Sequence, residues 1–299
     1  TDFKLLVLVG DVYQIEAIRF GNWFNVIRSY IPSSSVFELT TPFRTSEQSL
    51  IDFWAKVRSL DETVPETIAR NRYSTKLNAT LFENHSPEDI ILALNYDGLY
   101  GINNINRFLQ ASNPNPAVAW GPSVYKVNDP VLFGDNDRFR GLIYNNLKGT
   151  IVAVRAFNER IEFDIHLERP ITELDVEGYD GLKWVADSTV RFSVYDLNSS
   201  DEDEDYDTST VPFQVAYAVG IHKAQGLEYD IVKIVITDAN EEDITHNIFY
   251  TAITRARKHL CIYWSPETQQ AVLHGLHAND PSKDVALLST RRGLKPLKK

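Results

Sequence analysis

The run Leu5-Leu6-Val7-Leu8-Val9 is apolar at every position and stops at Gly10-Asp11. A strand with one wet face alternates apolar and polar residues. A run without alternation is the mark of a strand covered on both faces, as in parallel sheets flanked by helices. Asp89-Ile90-Ile91-Leu92-Ala93-Leu94-Asn95 has the same texture. Between the two, apolar residues take helical spacing from Phe24 to Tyr30, stopped by Pro32, and again from Ser46, a candidate N-cap, through Leu50, Phe53, Trp54 and Val57. Val36-Phe37-Glu38-Leu39 reads as a short strand leading to Pro42-Phe43-Arg44, and the polar residues 61–87 read as short helices and loops. After Asn95 a helix places Ile102, Ile105 and Leu109 on one face; Tyr100 and Asn104 near its start are expected in core or cap roles, with the alternative that they neighbour DNA or nucleotide. Strand and helix in alternation predict an α/β layer.

Asn113-Pro114-Asn115-Pro116 breaks that alternation. From about residue 117 to 196 the chain turns to short β-rich stretches split by Gly, Asn and Asp, at Pro130 to Phe133, Gly149 to Val154, Ile161 to Ile165 and Val190 to Val194. Such spacing predicts a small barrel or sandwich, with Trp120, Phe133, Phe139 and Trp184 as its core. The α/β texture then returns with strands at Val211 to Tyr217, Ile231 to Ile236 and Leu260 to Trp264. A helix from Ile244 to Arg255 carries acids before it and bases at its end, as the helix macrodipole prefers. From Asp280 the tail is polar and basic and is expected to be loosely ordered. The economical reading is one α/β domain interrupted by an inserted β module.

At 299 residues the chain has room for about two domains. No apolar run approaches the roughly 18 residues that a spanning helix needs, and the start has no signal-peptide pattern, so no membrane partner and a cytoplasmic location are expected. Cys261 is the only cysteine, which excludes an intrachain disulfide and a cysteine-based zinc site; no metal ligands are assigned. The net charge of −11 argues against a nucleic-acid binder of the basic-surface kind. Six of the negative charges, however, fall within the seven residues Asp201 to Asp207, a block expected to be a solvated loop. The sign of the whole chain is then a poor guide to any one face. The sequence contains no methionine, and the expectation is that it is part of a longer protein.

Four segments sit where strands end, which is where open α/β sheets bind ligands. They are Gly10-Asp11-Val12-Tyr13-Gln14, Pro42-Phe43-Arg44, Ile221-His222-Lys223-Ala224-Gln225-Gly226-Leu227-Glu228-Tyr229-Asp230, and Tyr250-Thr251-Ala252-Ile253-Thr254-Arg255-Ala256-Arg257. A Gly-Asp turn lets the backbone approach a phosphate. The third segment gathers His, Lys, Gln, Gly and Glu within seven positions. In the fourth, Thr251, Thr254 and Arg255 share a helix face about one turn apart.

In this order and at this spacing, the four segments resemble motifs III, IV, V and VI of superfamily 1 DNA helicases, in particular the RecD-like, Dda-like and UvrD-like groups. The likeness spans residues 5–44 and 213–264, and is most specific in AYAVGIHKAQGLEYD and FYTAITRARKHL. The stretch VNDPVLFGDNDRFRGLIYNNLKGTIVAV resembles the small Src-homology-type barrel that RecD-like enzymes insert between motifs IV and V. The resemblance implies a P-loop NTPase (RecA-like) α/β domain with that β-barrel inserted. It implies that Gln14 senses the γ-phosphate of ATP with Asp11 and Gly10 shaping the turn, and that Arg44 and Arg255 are cationic fingers on that phosphate. Gln225, Gly226 and Glu228 would bind the nucleotide, His222 and Lys223 would face single-stranded DNA, and Thr251 and Thr254, counted with the DNA-binding residues, would hold the motif VI helix in register with both sites. The sequence departs from the family at Ala224, where relatives carry Ser or Thr, and at Glu16-Ala17, where they carry Pro-Pro or Pro-Ser.

No Gly-Lys dipeptide occurs anywhere, hence no G-x-x-x-x-G-K-[ST] phosphate loop, and no apolar strand ends in Asp-Glu to hold Mg2+. Family members carry both upstream of motif III. The expectation is therefore the C-terminal part of a helicase, inactive alone, whose Mg2+ ligands lie in an N-terminal RecA-like domain. Residues 1–32 would be trailing elements of that first domain. Residues 33–112 and 211–278 would form the second RecA-like domain, 113–197 the barrel, 198–210 the acidic loop and 279–299 the tail. The implied partners are that N-terminal domain and single-stranded DNA or a duplex junction, with ATP and Mg2+ as cofactors and 5′→3′ movement. The rival expectation is a non-catalytic DNA- or partner-binding module derived from a helicase half.

Overall fold

The computed structural model describes residues 4–16, 23–83, 86, 88–134, 138–196 and 209–297; the acidic block 201–207 lies outside them. Along the chain the helices are α1 (Trp23–Ile27), α2 (Gln48–Arg58), α3 (Val64–Arg70), α4 (Ile102–Ser112), α5 (Glu173–Val176), α6 (His246–Ile253), α7 (Pro266–Gly275) and α8 (Ser282–Arg292). The strands are β1 (Ser74–Lys76), β2 (Asp89–Ala93), β3 (Val118–Trp120), β4 (Ser123–Tyr125), β5 (Pro130–Phe133), β6 (Lys148–Ala156), β7 (Arg160–Leu167), β8 (Leu182–Ala186), β9 (Thr189–Tyr195), β10 (Phe213–Val215), β11 (Ala218–Gly220), β12 (Tyr229–Val235) and β13 (Ala256–Trp264). Two compact units result, Thr1–Leu81 with Ala224–Lys299, and Phe82–Lys223.

In the first unit β13 lies parallel to both β1 and β12. The β-branched run of β12 is covered well enough that even Lys233 is buried, its ammonium donating to the Leu81 carbonyl at 3.3 Å. Helix α6 is apolar on most sides and packs accordingly. Phe249 stacks on Trp264 with ring centroids 6.0 Å apart, and the Trp54 indole of α2 donates to the Ile253 carbonyl at 3.1 Å. Thr245 caps α6 and Ser265 caps α7, the latter with Pro266 at its first position.

The second unit holds a parallel pair and an antiparallel sheet. Strand β2, buried along its whole length, pairs with β11 from Ile91↔Ala218 to Ala93↔Gly220. Helix α4 covers the pair with Ile102, Ile105 and Leu109, and Asn106 bonds both the N–H and the carbonyl of Ala218, at 2.8 and 2.9 Å. The inserted segment forms a six-stranded antiparallel sheet in the order β10-β5-β6-β7-β9-β8. Its core is aromatic, with Phe133, Phe139, Phe163, Phe192 and Phe213 in one cluster. Trp120 packs against that cluster half-buried, but Trp184, expected in the core, stands exposed at an edge strand.

Four expectations are corrected. Leu5 to Val9 is not a strand, and its side chains are 46–89% exposed. A buried strand needs a neighbour for its N–H and C=O groups, and none of the described strands flanks this run. Val36 to Leu39 fails for the same reason, leaving Phe37 and Leu39 exposed. Ser46 is not the N-cap of α2; Glu47 takes that place, and its N–H is bonded by the Thr45 hydroxyl at 2.9 Å. The tail after Asp280 is helical as α8, opened by Asp280 bonding the Ser282 N–H at 3.0 Å and closed by Gly293 at φ +65°. The Tyr30 hydroxyl ties α8 to the first helical segment through the Val285 carbonyl at 2.9 Å. Among the described residues no helix is long and apolar enough to cross a membrane.

Candidate functional site

Asp11 shapes the first segment. One carboxylate oxygen accepts from the Tyr13 N–H and the other from the Gln14 side-chain amide, both at 2.9 Å. That is an Asx turn holding Gln14 to the acid three residues before it. Gly10 leaves room for Phe24, whose ring would lie 2.9 Å from a β-carbon at that position. The loop is then tied to the α6 region. Asn247 donates to the Val12 and Gln14 carbonyls at 3.2 and 2.7 Å, Thr251 accepts from the Ile15 N–H at 3.0 Å, and the Gln225 amide donates to the Ile15 carbonyl at 3.3 Å. The Tyr13 ring sits beside His246 and Tyr250, under the Arg58 guanidinium at 4.5 Å.

The third segment turns sharply after β11. The Leu227 N–H closes on the Ala224 carbonyl at 3.0 Å, and Gly226 takes φ +86° with nothing within 4 Å of a β-carbon placed there. A positive φ is a conformation that glycine takes without the strain a side chain would bring. Ala224, where the helicase pattern has a hydroxyl, is buried. Glu228 accepts from Arg44 at 3.1 Å and approaches Arg257 at 3.8 Å.

Arg44 and Arg255 meet at Thr254. Arg44 donates to the Thr254 carbonyl at 2.6 Å, and Arg255 to the Thr254 hydroxyl at 3.1 Å. Arg255 is wholly buried and also donates to the Thr251 and Leu227 carbonyls, at 2.9 and 3.0 Å. It has no ion pair among the described residues. Burial, and then the like charge of Arg44, push its pKa down to about 10, against the pull of Asp11, Tyr250 and Glu228. Withdrawing a charge from water costs several kcal/mol unless something offsets it. This guanidinium stays charged at neutral pH, and only neutral oxygens are bonded to it.

Thr251 and Thr254, implied to hold helix α6 in register with both sites, turn inward. Both are buried, and their hydroxyls are used internally: Thr251 on Ile15, Thr254 on the Tyr250 and Thr251 carbonyls at 2.8 and 3.0 Å. They hold the turn. In the second unit His222 is exposed at the end of β11. Lys223 is half-buried and donates to the Gln214 side-chain oxygen at 3.0 Å; desolvation lowers its pKa. Among the described residues no group of three or more His, Cys, Asp or Glu side chains is placed to hold a metal.

Residues 215–263 match the UvrD-like helicase C-terminal domain family. The RecD subunit of the RecBCD enzyme from Buchnera aphidicola subsp. Schizaphis graminum is 33% identical over 55 residues, which are 18% of this chain and 9% of that subunit. Both likenesses support a superfamily 1 helicase C-terminal domain, RecD-like, in this part of the chain. The crystal structure of a Bacteroides Pif1 helicase in complex with ADP-AlF3 and ssDNA is similar to 97% of this chain and 68% of its own, at TM-score 0.53 and 15% identity. At that identity the likeness is one of fold, the RecA-like helicase fold. A structure of two coordinating Pif1 helicases at forked dsDNA aligns at TM-score 0.47 and 15% identity over 87% of this chain and 56% of that one. The chain thus spans little more than half of that helicase and a small part of RecD.

The helicase domain match takes in His222, Lys223, Gln225, Gly226, Glu228, Thr251, Thr254 and Arg255; Gly10, Asp11, Gln14 and Arg44 lie before it. Two members of the site escaped the sequence reading. Asn247 sits inside a helix, where an amide carries no signal of its own, yet it anchors the Asp11–Gln14 loop. Tyr250 lies among Asp11, Arg58, Arg44 and Arg255, and burial, then the Asp11 charge, raise its pKa. Its place in the helicase motif, one turn before Arg255, was the signal available.

Proposed function

We propose that this chain is the arginine-bearing part of an ATP-dependent DNA helicase that couples ATP hydrolysis to 5′→3′ translocation on single-stranded DNA and duplex unwinding. The observation that carries the reading is Arg255, a wholly buried guanidinium with no carboxylate bonded to it, sharing Thr254 with a second arginine. Arg255, with Arg44 beside it and the exposed Gly226 turn nearby, suits a polyphosphate, whose negative charge offsets the burial of Arg255. In phosphoryl transfer the protein contributes positioning and charge neutralisation. Arg44 and Arg255 neutralise charge on the γ-phosphate, Gln14 orients its surroundings from the Asp11 turn, and Gln225, Gly226 and Glu228 hold the nucleotide. ATP supplies the phosphoryl group and the driving force. His222 and Lys223 grip the strand, and Thr251 with Asn247 ties the Gln14 loop to the helix that ends at Arg255, so a change at the phosphate is felt across the motifs.

The inserted sheet is read as the Src-homology-type barrel of RecD-like enzymes. Residues 1–32 belong to a first RecA-like domain in this reading, and the Mg2+ ligands and phosphate loop come from it. In the complete protein Arg255→Ala lowers DNA-stimulated ATP turnover by about 10³–10⁵-fold and leaves strand affinity nearly unchanged. Retained turnover contradicts the assignment. The 299-residue chain alone hydrolyses no ATP; DNA-stimulated hydrolysis by it would show that the catalytic half is not elsewhere.

A further inference from the structure

The loop between β2 and α4 exposes apolar side chains on a backbone held by several hydrogen bonds. Tyr96 is 53% and Leu99 77% exposed. The Ile102 N–H bonds the Asn95 carbonyl at 2.9 Å, the Asn103 N–H the Tyr96 carbonyl at 3.0 Å, and the Asn104 amide the Gly98 carbonyl at 2.7 Å. Gly98 sits at φ +95°, and a β-carbon on Gly101 would strike the Asp97 carbonyl, so this shape requires both glycines. A hydrogen-bonded loop that leaves an aromatic ring half in water is unexplained by packing.

Its neighbours give the ring a context. Strand β2 runs parallel to β11, with Ala93 beside Gly220, so the loop emerges next to His222 and Lys223. The Tyr96 hydroxyl lies 3.9 Å from where a Gly220 side chain would begin. Lys223 is a half-withdrawn cation whose one bonded acceptor is the neutral Gln214 amide. A cation short of counter-charge takes a phosphate; an exposed aromatic at the same end of the strand pair takes a base. Phosphate and base side by side are the repeating unit of a single strand, and base stacking on aromatic side chains is tolerant of sequence. Asp97, the nearby acid, is engaged by Asn103 at 3.1 Å.

We infer that Tyr96 and Leu99 form a stacking platform for a base of single-stranded nucleic acid, adjoining the phosphate contact made by Lys223; this rests on the strand-binding reading above. Tyr96 supplies the ring face and Leu99 the apolar floor, while Asn103 and Asn104 keep the loop in place.

The test titrates the chain against a fluorescein-labelled oligothymidylate and against the same strand carrying 2-aminopurine. Tyr96→Ala is expected to weaken binding by about 5- to 100-fold and to abolish the stacking-dependent quenching of 2-aminopurine, with the salt dependence of binding unchanged. Tyr96→Phe keeps both, and Leu99→Ala shows a smaller loss. Both side chains are exposed, so these variants fold. If the unaltered chain binds no strand, the strand-binding reading falls and the platform with it. If it binds and Tyr96→Ala leaves affinity and quenching intact, the platform alone is overturned. Thymidine monophosphate competing as well as the strand, nucleotide for nucleotide, overturns it in favour of a mononucleotide site.

Discussion

Arg255 and Lys223 are both cations drawn out of water with neutral bonding partners, and they are held in opposite ways. Arg255 is wholly buried, and three of its nitrogens are fixed by two carbonyls and a hydroxyl. Lys223 keeps part of its surface in water and has one bond, to an amide. A planar guanidinium locked at three points can meet an anion in only one orientation. An ammonium on a four-carbon stem can follow its anion as it moves. The contrast matches the two tasks proposed: a transferring phosphoryl group demands fixed geometry, and a strand that is gripped and released demands compliance.

The largest test of that contrast lies on the rigid side. Arg255→Lys in the complete protein should lose nearly as much turnover as Arg255→Ala, about 10³-fold or more, because an ammonium keeps the charge and not the three-point orientation. Recovery of most turnover in the lysine variant, measured by steady-state ATPase, would show that charge alone is needed. A smaller effect is expected one turn away. Thr251→Val removes the acceptor of the Ile15 N–H and should destabilise the first unit by about 1–3 kcal/mol in denaturant unfolding. In the complete protein it should lower turnover with little change in strand affinity, since the Thr251 hydroxyl touches the Gln14 loop and no ligand.

How far these features were legible depends on whether their causes are local. Strand β2 and the apolar face of α4 were read correctly because texture and period are local properties. Leu5 to Val9 has the texture of β2 and none of its structure, because a strand also needs neighbours, and no local pattern says whether they exist. Helix α8 was missed through its polarity, although Asp280-Pro281-Ser282 and Gly293 bracket it with the start and stop residues that helices use. At the site, the motif resemblance brought out Arg44, Gln225, Glu228 and Arg255, which the fold does bring together. It also counted Thr251 and Thr254 with the DNA side, as residues that hold the helix in register, and the fold turns both hydroxyls inward. Spacing places hydroxyls on one helix face; only packing decides that this face is the buried one. Asn247 is the converse case, an amide whose role exists only because the Asp11–Gln14 loop folds back over it.

The compliant side yields the smallest effect and the one with a sign to check. Lys223→Gln should reduce the slope of log affinity against log salt by about 0.7, the release from one single-strand phosphate, with a modest loss of affinity at low salt. Desolvation holds the Lys223 pKa below its ordinary 10.5, so on raising the pH the free protein loses this cation earlier than a surface lysine. Between the lowered value and 10.5 the unfolded chain binds more protons than the folded one, so this group's contribution to stability rises with pH in that window. Strand affinity moves the other way, falling as the cation disappears. Opposite slopes of stability and affinity over one alkaline window are the signature of a cation withdrawn from water to meet an anion. Lys223→Arg, charged throughout, should flatten the affinity profile, and a profile unchanged by that substitution would place the strand's phosphate elsewhere.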